Sequence, residues 1–212
     1  MSKSLLINPP FNIAKENYDS SVSVGLLSIA SFVHSRGEKV KIIDGVRERD
    51  YLEKIKEHAV DAAYAGISVM TTQISDALKI SKIIKDVNPK CIVVWGGPHP
   101  TFFKEQSIKS ELIDVICIGE GEQTFYEIVI NKKLSEIQGI IYKDGEEIKV
   151  NPNRPLHDPS KMPLFNWNLI NKKVLNNLAY IPSLTSRGCP HLCTFCINAI
   201  LKLKWRQRTA EQ

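Results

Sequence analysis

Apolar positions in the first 130 residues alternate between two periods. Leu5-Leu6-Ile7 is a short apolar run closed by Asn8-Pro9-Pro10, which reads as a strand and its stop. From Gly25 to His34 the apolar residues Leu26, Leu27, Ile29, Ala30 and Val33 recur at helical spacing, and Gly37 ends the pattern. Residues 39–45 read as a second strand. Residues 48–59 read as a helix that turns Leu52, Ile55 and Ala59 inward. Residues 62–70 form a third strand pattern. A helix over 75–87 carries Ala77, Ile80, Ile83, Ile84 and Val87 on one face and stops at Asn88-Pro89. Cys91-Ile92-Val93-Val94-Trp95 is a fourth strand, 104–112 a short helix, 114–118 a fifth strand, and 124–130 opens the next helix.

Strands alternating with helices predict a parallel sheet covered on both faces. Five such units suit a doubly wound, flavodoxin-like (Rossmann-like) α/β domain over residues 1–135, with strand order 2-1-3-4-5 by analogy with that fold. Residues 139–150 hold two β-rich runs around Asp144-Gly145, a hairpin signal. Pro152, Pro155, Pro159 and Pro163 mark an extended surface linker, so 136–178 reads as hairpin plus linker. Residues 179–184 read as a new strand, and residues 201–212 as the start of a helix, within a C-terminal segment spanning 179–212.

Bulk composition changes this picture little. The 212 residues are 43% hydrophobic and 24% charged, ordinary for a globular protein. No run of about 18 apolar residues predicts a membrane span, and the N-terminal apolar run is too short for a signal peptide, so a cytoplasmic location is expected. Net charge is +5. Lys202, Lys204, Arg206 and Arg208 cluster near the end, but only Trp205 interleaves them, so a solvated basic face is favoured over nucleic-acid binding. Cys91 and Cys117 sit inside apolar runs and read as buried strand residues without chemistry.

Chemistry concentrates at strand ends, where open α/β sheets bind ligands. Asn8-Pro9-Pro10 follows the first strand, Ser68-Val69-Met70-Thr71-Thr72 the third, Gly96-Gly97-Pro98-His99-Pro100-Thr101 the fourth, and Gly119-Glu120-Gly121-Glu122-Gln123-Thr124 the fifth. Each alone is an ordinary βα turn. Together with Gly25 they make a rim where backbone can approach a ligand closely and hydroxyls can bond to it. A P-loop is absent, and Gly119-x-Gly121-x-x-Thr124 departs from the dinucleotide fingerprint in its last position and its strand. Flavin is left open by the residues alone.

The second concentration is Arg187-Gly188-Cys189-Pro190-His191-Leu192-Cys193-Thr194-Phe195-Cys196. Cys189, Cys193 and Cys196 in C-x3-C-x2-C spacing can take one corner of a [4Fe–4S] cluster, leaving an iron without a protein thiolate. Zinc with His191 as fourth ligand is the alternative, but the second C-x2-C pair usual in structural zinc sites is missing.

These motifs, in this order, resemble the N-terminal part of cobalamin-dependent radical S-adenosylmethionine (SAM) proteins. The resemblance rests on Asn8-Pro9-Pro10, Gly25-Leu26-Leu27-Ser28-Ile29-Ala30, Asp44-Gly45, Gly66-Ile67-Ser68, Gly96 to Thr101, Asp114, Gly119 to Glu122, and the cysteine loop with Thr185-Ser186-Arg187-Gly188 ahead of it. It implies a cobalamin-binding domain followed by the first strand and cluster loop of a radical SAM barrel. Implied cofactors are cobalamin, a [4Fe–4S] cluster and SAM, and the implied reaction is methyl transfer or another radical step on an unactivated carbon. Asn8, Pro9, Pro10, Gly25, Ser68, Thr71, Thr72, Gly96, Gly97, Pro98, His99, Thr101, Gly119, Glu120, Gly121 and Glu122 are the implied cofactor contacts. Cys189, Cys193 and Cys196 are the implied cluster ligands. Unlike the wider cobalamin family, residues 10–24 contain no Asp-x-His-x-x-Gly motif, which implies base-off cobalamin without a histidine from that loop. His99, between two prolines, suits a rim-shaping or corrin-contacting role, and His157 in the linker needs none.

A full eight-stranded barrel takes about 250 residues, so the chain is expected to be a fragment, inactive alone. The alternative to a fragment is that the remainder of the barrel is a separate chain, which would then be a partner; an external electron donor is expected in either case. The tail after Leu184 is expected to fray, with Ile197, Ile200, Leu201, Leu203 and Trp205 uncovered. A non-catalytic cobalamin module and a flavin-binding domain with a metal tail are the alternatives.

Overall fold

The computed structural model of the chain describes residues 3–11 and 22–211. Five strands, β1 (Lys3–Asn8), β2 (Lys39–Asp44), β3 (Ala62–Ser68), β4 (Ile92–Gly96) and β5 (Val115–Cys117), run parallel. The helices between them are α1 (Val24–His34), α2 (Tyr51–Ala59), α3 (Ile74–Val87), the short α4 (Pro98–Phe102) and α5 (Lys104–Ile108), and then α6 (Glu122–Val129). The parallel strands stand in the expected order 2-1-3-4-5. The hairpin, β6 (Ile140–Asp144) and β7 (Glu147–Val150), continues the same sheet antiparallel to β5, making seven strands. Residues 12–21, the middle of the 10–24 stretch in which the Asp-x-His-x-x-Gly motif is absent from the sequence, lie outside the described residues.

Period-2 alternation divides the core. Leu5, Ile7, Ala65, Ile67, Val93 and Trp95 face α2 and α3, meeting Ile55, Ala59, Ala77, Ile80 and Ile84. Leu6, Tyr64 and Val94 face α1 and α6, meeting Leu26, Leu27, Ala30, Phe125 and Ile128. Gly66 lets α6 come close: a β-carbon there would lie 2.8 Å from Leu6 Cδ2 and from Phe125 Cε2. Trp95 is fully buried, and its indole N–H donates to Ser81 Oγ at 2.9 Å, so burial leaves no orphan donor.

The linker packs as well as runs. Met162, Ile170 and Val174 are buried, the latter two in the α1–α6 core. The linker forms 3-10 turns at Pro159–Lys161 and Trp167–Leu169 and a helical turn, α7 (Lys172–Asn176). Asn166 N–H donates to Ser31 Oγ at 2.9 Å, and Asn171 Nδ2 to Glu48 Oε2 at 2.8 Å. That carboxylate also accepts from Lys54, and its other oxygen accepts the Asp44 N–H at 3.0 Å, while helix α2 starts at Tyr51, three residues later than expected.

The C-terminal segment departs from expectation in three places. Residues 179–184 are not a strand, because a strand needs a ladder partner and the described chain supplies one only further on. There β8 (Ser186–Arg187) pairs antiparallel with β9 (Arg206–Gln207). The helix expected over 201–212 is replaced by a single helical turn, α8 (Ile197–Ile200), which ends where Lys202 takes a left-handed φ of 50°. The basic residues are not all solvated: Arg206 is engaged by carboxylate and Arg208 by two carbonyls, of Met162 (3.1 Å) and Pro163 (3.0 Å). Among the described residues no helix is long and apolar enough to cross a membrane.

Candidate functional site

A cavity of about 280 Å³ opens beyond the C-terminal ends of β3, β4 and β5, on the α1–α6 side of the sheet. Leu6, Gly66, Ile67, Ser68, Val94, Gly96 and Cys117 form its sheet wall. Gly25, Leu26 and Ile29 of α1 form one flank, and Gly119 to Glu122 with Phe125 form the other. Leu184 and Arg187, from the segment before the cysteines, complete it. The lining is mostly apolar with a few polar groups at the edge, as in small-molecule sites generally.

Glycines shape this site in two ways. A β-carbon on Gly25 or Gly119 would meet nothing within 4 Å, so these positions leave open space at the mouth. A β-carbon on Gly121 would press Ile29 Cδ1 at 2.9 Å, so this glycine lets the two flanks approach. Gly97 holds φ at 95°, turning β4 into α4.

Of the residues singled out in the sequence, Gly25, Ser68, Gly96, Gly97, Pro98, Gly119, Glu120, Gly121 and Glu122 line the cavity. Thr101 ties two rim turns together, donating to Gly97 O at 2.8 Å and accepting from Gly119 N–H at 3.2 Å. Thr71 and Thr72 are exposed on the rim. His99 is buried, stacks on Phe103 with ring centres 5.1 Å apart, and sets Nδ1 3.3 Å from Thr71 Oγ1. Burial pushes its pKa below the ordinary histidine value, favouring the neutral ring. Asn8, Pro9 and Pro10 do not reach the cavity. Asn8 Nδ2 donates to Asp44 Oδ1 at 2.9 Å, and Gln73 Nε2 donates to Asn8 Oδ1 (3.3 Å) and to the Pro9 carbonyl (2.6 Å). This corner joins β1, β2 and the turn before α3.

Ser28 and Arg187 stand in the motifs that carry the resemblance, but neither they nor Leu184 were among the expected cofactor contacts. The available signal was a pair of carboxylates, Glu120 and Glu122, in a rim with no local cation. Glu122, buried, accepts from Ser28 Oγ at 2.7 Å and from Arg187, whose Nη2 also donates to Ser28 Oγ at 2.8 Å. Glu120 takes Arg206 in a fork, at 2.9 and 3.0 Å, and the His157 N–H at 2.7 Å, with Arg187 Nη1 3.4 Å away. Burial alone would raise the Glu120 carboxyl, but the Arg206 and His157 bonds and the Arg187 charge outweigh it and hold its pKa below the ordinary value. His157 is therefore not a bystander on a solvated linker: its N–H meets Glu120, its carbonyl accepts from Arg206, and its Nε2 is buried without a partner among the described residues.

Cys189 and Cys196 are half-buried and Cys193 is exposed, as is His191. Among the described residues no three His, Cys, Asp or Glu side chains converge on one point. The loop is nonetheless closed at its base: β8 pairs with β9, Cys189 N–H donates to Leu203 O at 3.2 Å, and Gly188 (φ 78°) lies so close that a β-carbon would fall 2.2 Å from Lys204 O. At the tip, Leu192 and Phe195 are 80% and 89% exposed. Cys91 and Cys117 are buried, and burial pushes both thiols up to about 12, so they stay protonated.

A family model described as "B12 binding domain" matches residues 16–129, more than half of the chain. The chain is similar to an uncharacterized methyltransferase, PH0819, of Pyrococcus horikoshii, 33% identical over 225 residues that cover 99% of this chain and 48% of that protein. It is also similar to an anaerobic magnesium-protoporphyrin IX monomethyl ester cyclase of Synechocystis, 26% identical, covering 96% of this chain and 44% of that one. Among solved structures, the cobalamin-dependent S-adenosylmethionine radical enzyme OxsB, with aqua-cobalamin and S-adenosylmethionine bound, shares the fold with a TM-score of 0.82 at 24% identity, covering 100% of this chain and 30% of that one. The chain spans about half the length of these two curated relatives.

Proposed function

Because the chain belongs to the B12-binding domain family, we propose that its cavity takes the nucleotide tail of base-off cobalamin and that Cys189, Cys193 and Cys196 hold a [4Fe–4S] cluster for cleavage of SAM. The observation that carries the reading is the cavity itself. Its roughly 280 Å³ lies at the lower edge of the ~300–1,000 Å³ typical of small-molecule sites. That suits one planar ring system entering between α1 and α6, with the bulk of a large cofactor left outside. Its apolar walls suit a benzimidazole, and the open space at Gly25 and Gly119 suits its passage.

The corrin would then lie over the rim of Ser68, Thr71, Thr72, Gly97, Pro98 and Thr101. His99, turned to Thr71 and Phe103, shapes that rim rather than reaching for cobalt. The three thiols of one loop supply the donor chemistry that an iron–sulfur cluster takes, and the closed loop base keeps them on one short segment. When bound, cobalamin supplies methyl-carrier chemistry and the cluster supplies the electron that cleaves SAM. Methylation or another radical reaction at an unactivated carbon, an external electron donor, and the rest of a barrel belong to this proposal for the whole protein.

Hydroxocobalamin mixed with the chain should co-elute with it in gel filtration and show a base-off spectrum that His99→Ala leaves unaltered. Anaerobic reconstitution should give about four irons per chain, the stoichiometry of a [4Fe–4S] cluster. Tight flavin retention with no cobalamin would replace the first half of the reading. One zinc per chain without charge-transfer absorbance would replace the second.

A further inference from the structure

We propose that Arg187 and Arg206 are positioning residues that couple occupancy of the cavity to placement of the cysteine loop, with Glu120 as the shared pin; this rests on the cobalamin reading above. The argument begins with a two-residue ladder. Arg187 and Arg206 are direct cross-strand partners in β8–β9. Like charges directly opposed on neighbouring strands repel, and so short an isolated pair of strands is marginal on its own. Glu120 removes the conflict by taking Arg206 in a fork and standing 3.4 Å from Arg187. Glu122 and Ser28 accept from Arg187 Nη2. The neck of the loop that carries Cys189, Cys193 and Cys196 is thus closed by groups belonging to the cavity's own flank.

The same residues border the ligand. Leu184 and Arg187 complete one side of the cavity, while Glu120 and Glu122 line another. A ligand filling the cavity touches both sides when the tail is docked and loses one when it is not. That difference in contact is what lets a ligand shift such an equilibrium. It also excludes water from the two ion pairs, which strengthens them. By linkage, the effect is reciprocal: a docked neck must tighten cobalamin by the factor by which cobalamin favours the docked neck. Arg187 lies two residues before Cys189, so the coupling acts on the segment that leads directly into the thiols.

Hydrogen exchange over 184–208 tests this on the full chain, with and without saturating hydroxocobalamin. The wild type should slow by about 5-fold or more on loading, the lower end of usual coupling factors. In Arg187→Gln the segment should exchange fast in both states, and cobalamin should dissociate faster. If burying an unpaired Glu122 unfolds that variant, Glu122→Gln/Arg187→Gln removes both charges and should behave the same way, with native protection of the sheet. Wild-type cobalamin retention without any change over 184–208, or equal slowing in the double variant, overturns the coupling alone. Failure of the wild type to retain cobalamin sinks the functional reading and the coupling with it.

Discussion

Gly25→Leu separates the cavity from every other surface of the protein. Gly25 is the second residue of α1, is exposed at the mouth, and has no left-handed φ that would strain a larger residue. A β-carbon there meets nothing within 4 Å, so the side chain enters without a clash. Helical i, i+4 spacing sets it on the face of Ile29, across the cavity opening. Two opposite effects follow. Replacing a helical glycine stabilises the free protein by roughly 0.5–1 kcal/mol, less so near a helix end. A leucine side chain buried over the apolar mouth gains up to about 1.5–3 kcal/mol, which an entering ring must give up. That corresponds to cobalamin binding weaker by about 10- to 150-fold. Gly25→Ala should fall between the two. Visible-absorbance titration with hydroxocobalamin gives the affinity, and urea denaturation gives the stability. A Gly25→Leu protein that is as stable as the wild type or more so, and binds cobalamin equally well, would show that the ligand does not use this cavity.

Gly66→Ala should cost about 1–3 kcal/mol by overpacking, because its methyl would press Leu6 and Phe125 at 2.8 Å; the urea midpoint should fall with the slope unchanged. The Glu120 carboxyl is held below its ordinary 4.5 in the folded chain, so its ion pairs contribute fully above pH 4.5 and are lost as pH falls through the lower folded value. Protection of residues 184–208 should accordingly drop below pH 4.5 in the wild type, whereas Glu120→Gln should be poorly protected already at neutral pH and show no such step. Iodoacetamide at pH 8 should alkylate Cys193 in the native chain and leave Cys91 and Cys117 unmodified until unfolding, since burial holds both thiols at about 12; rapid native labelling of Cys117 would contradict its burial.

Much of this protein was legible in one dimension because its signals are local. Period-2 runs such as Leu5-Leu6-Ile7 and helical stripes such as Ala77, Ile80 and Ile84 depend only on neighbours along the chain, and βα alternation leaves few topologies open. The rim glycines were legible for the same reason, since a turn with positive φ, as at Gly97, demands a residue without a β-carbon. The cysteine spacing, too, is a property of a single loop. What only the tertiary structure decided involves partners far apart in sequence. The hairpin could have stood alone, but its Ile140 and Ile141 find burial only by extending the sheet beyond β5. Ile170 and Val174 looked like linker residues until the α1–α6 face of the sheet offered them a surface. Residues 179–184 had a strand's pattern and no ladder partner, while Ser186 and Arg187 found theirs in Arg206 and Gln207. Arg187 stood in the motif ahead of the cysteines and Arg206 in a basic run read as solvated, and nothing along the chain linked the two. Their carboxylates, Glu120 and Glu122, lie on another element, and long-range ion pairs leave no periodic trace in a sequence. Local geometry is written residue by residue, whereas who meets whom across the fold is set by burial, which only the assembled chain possesses.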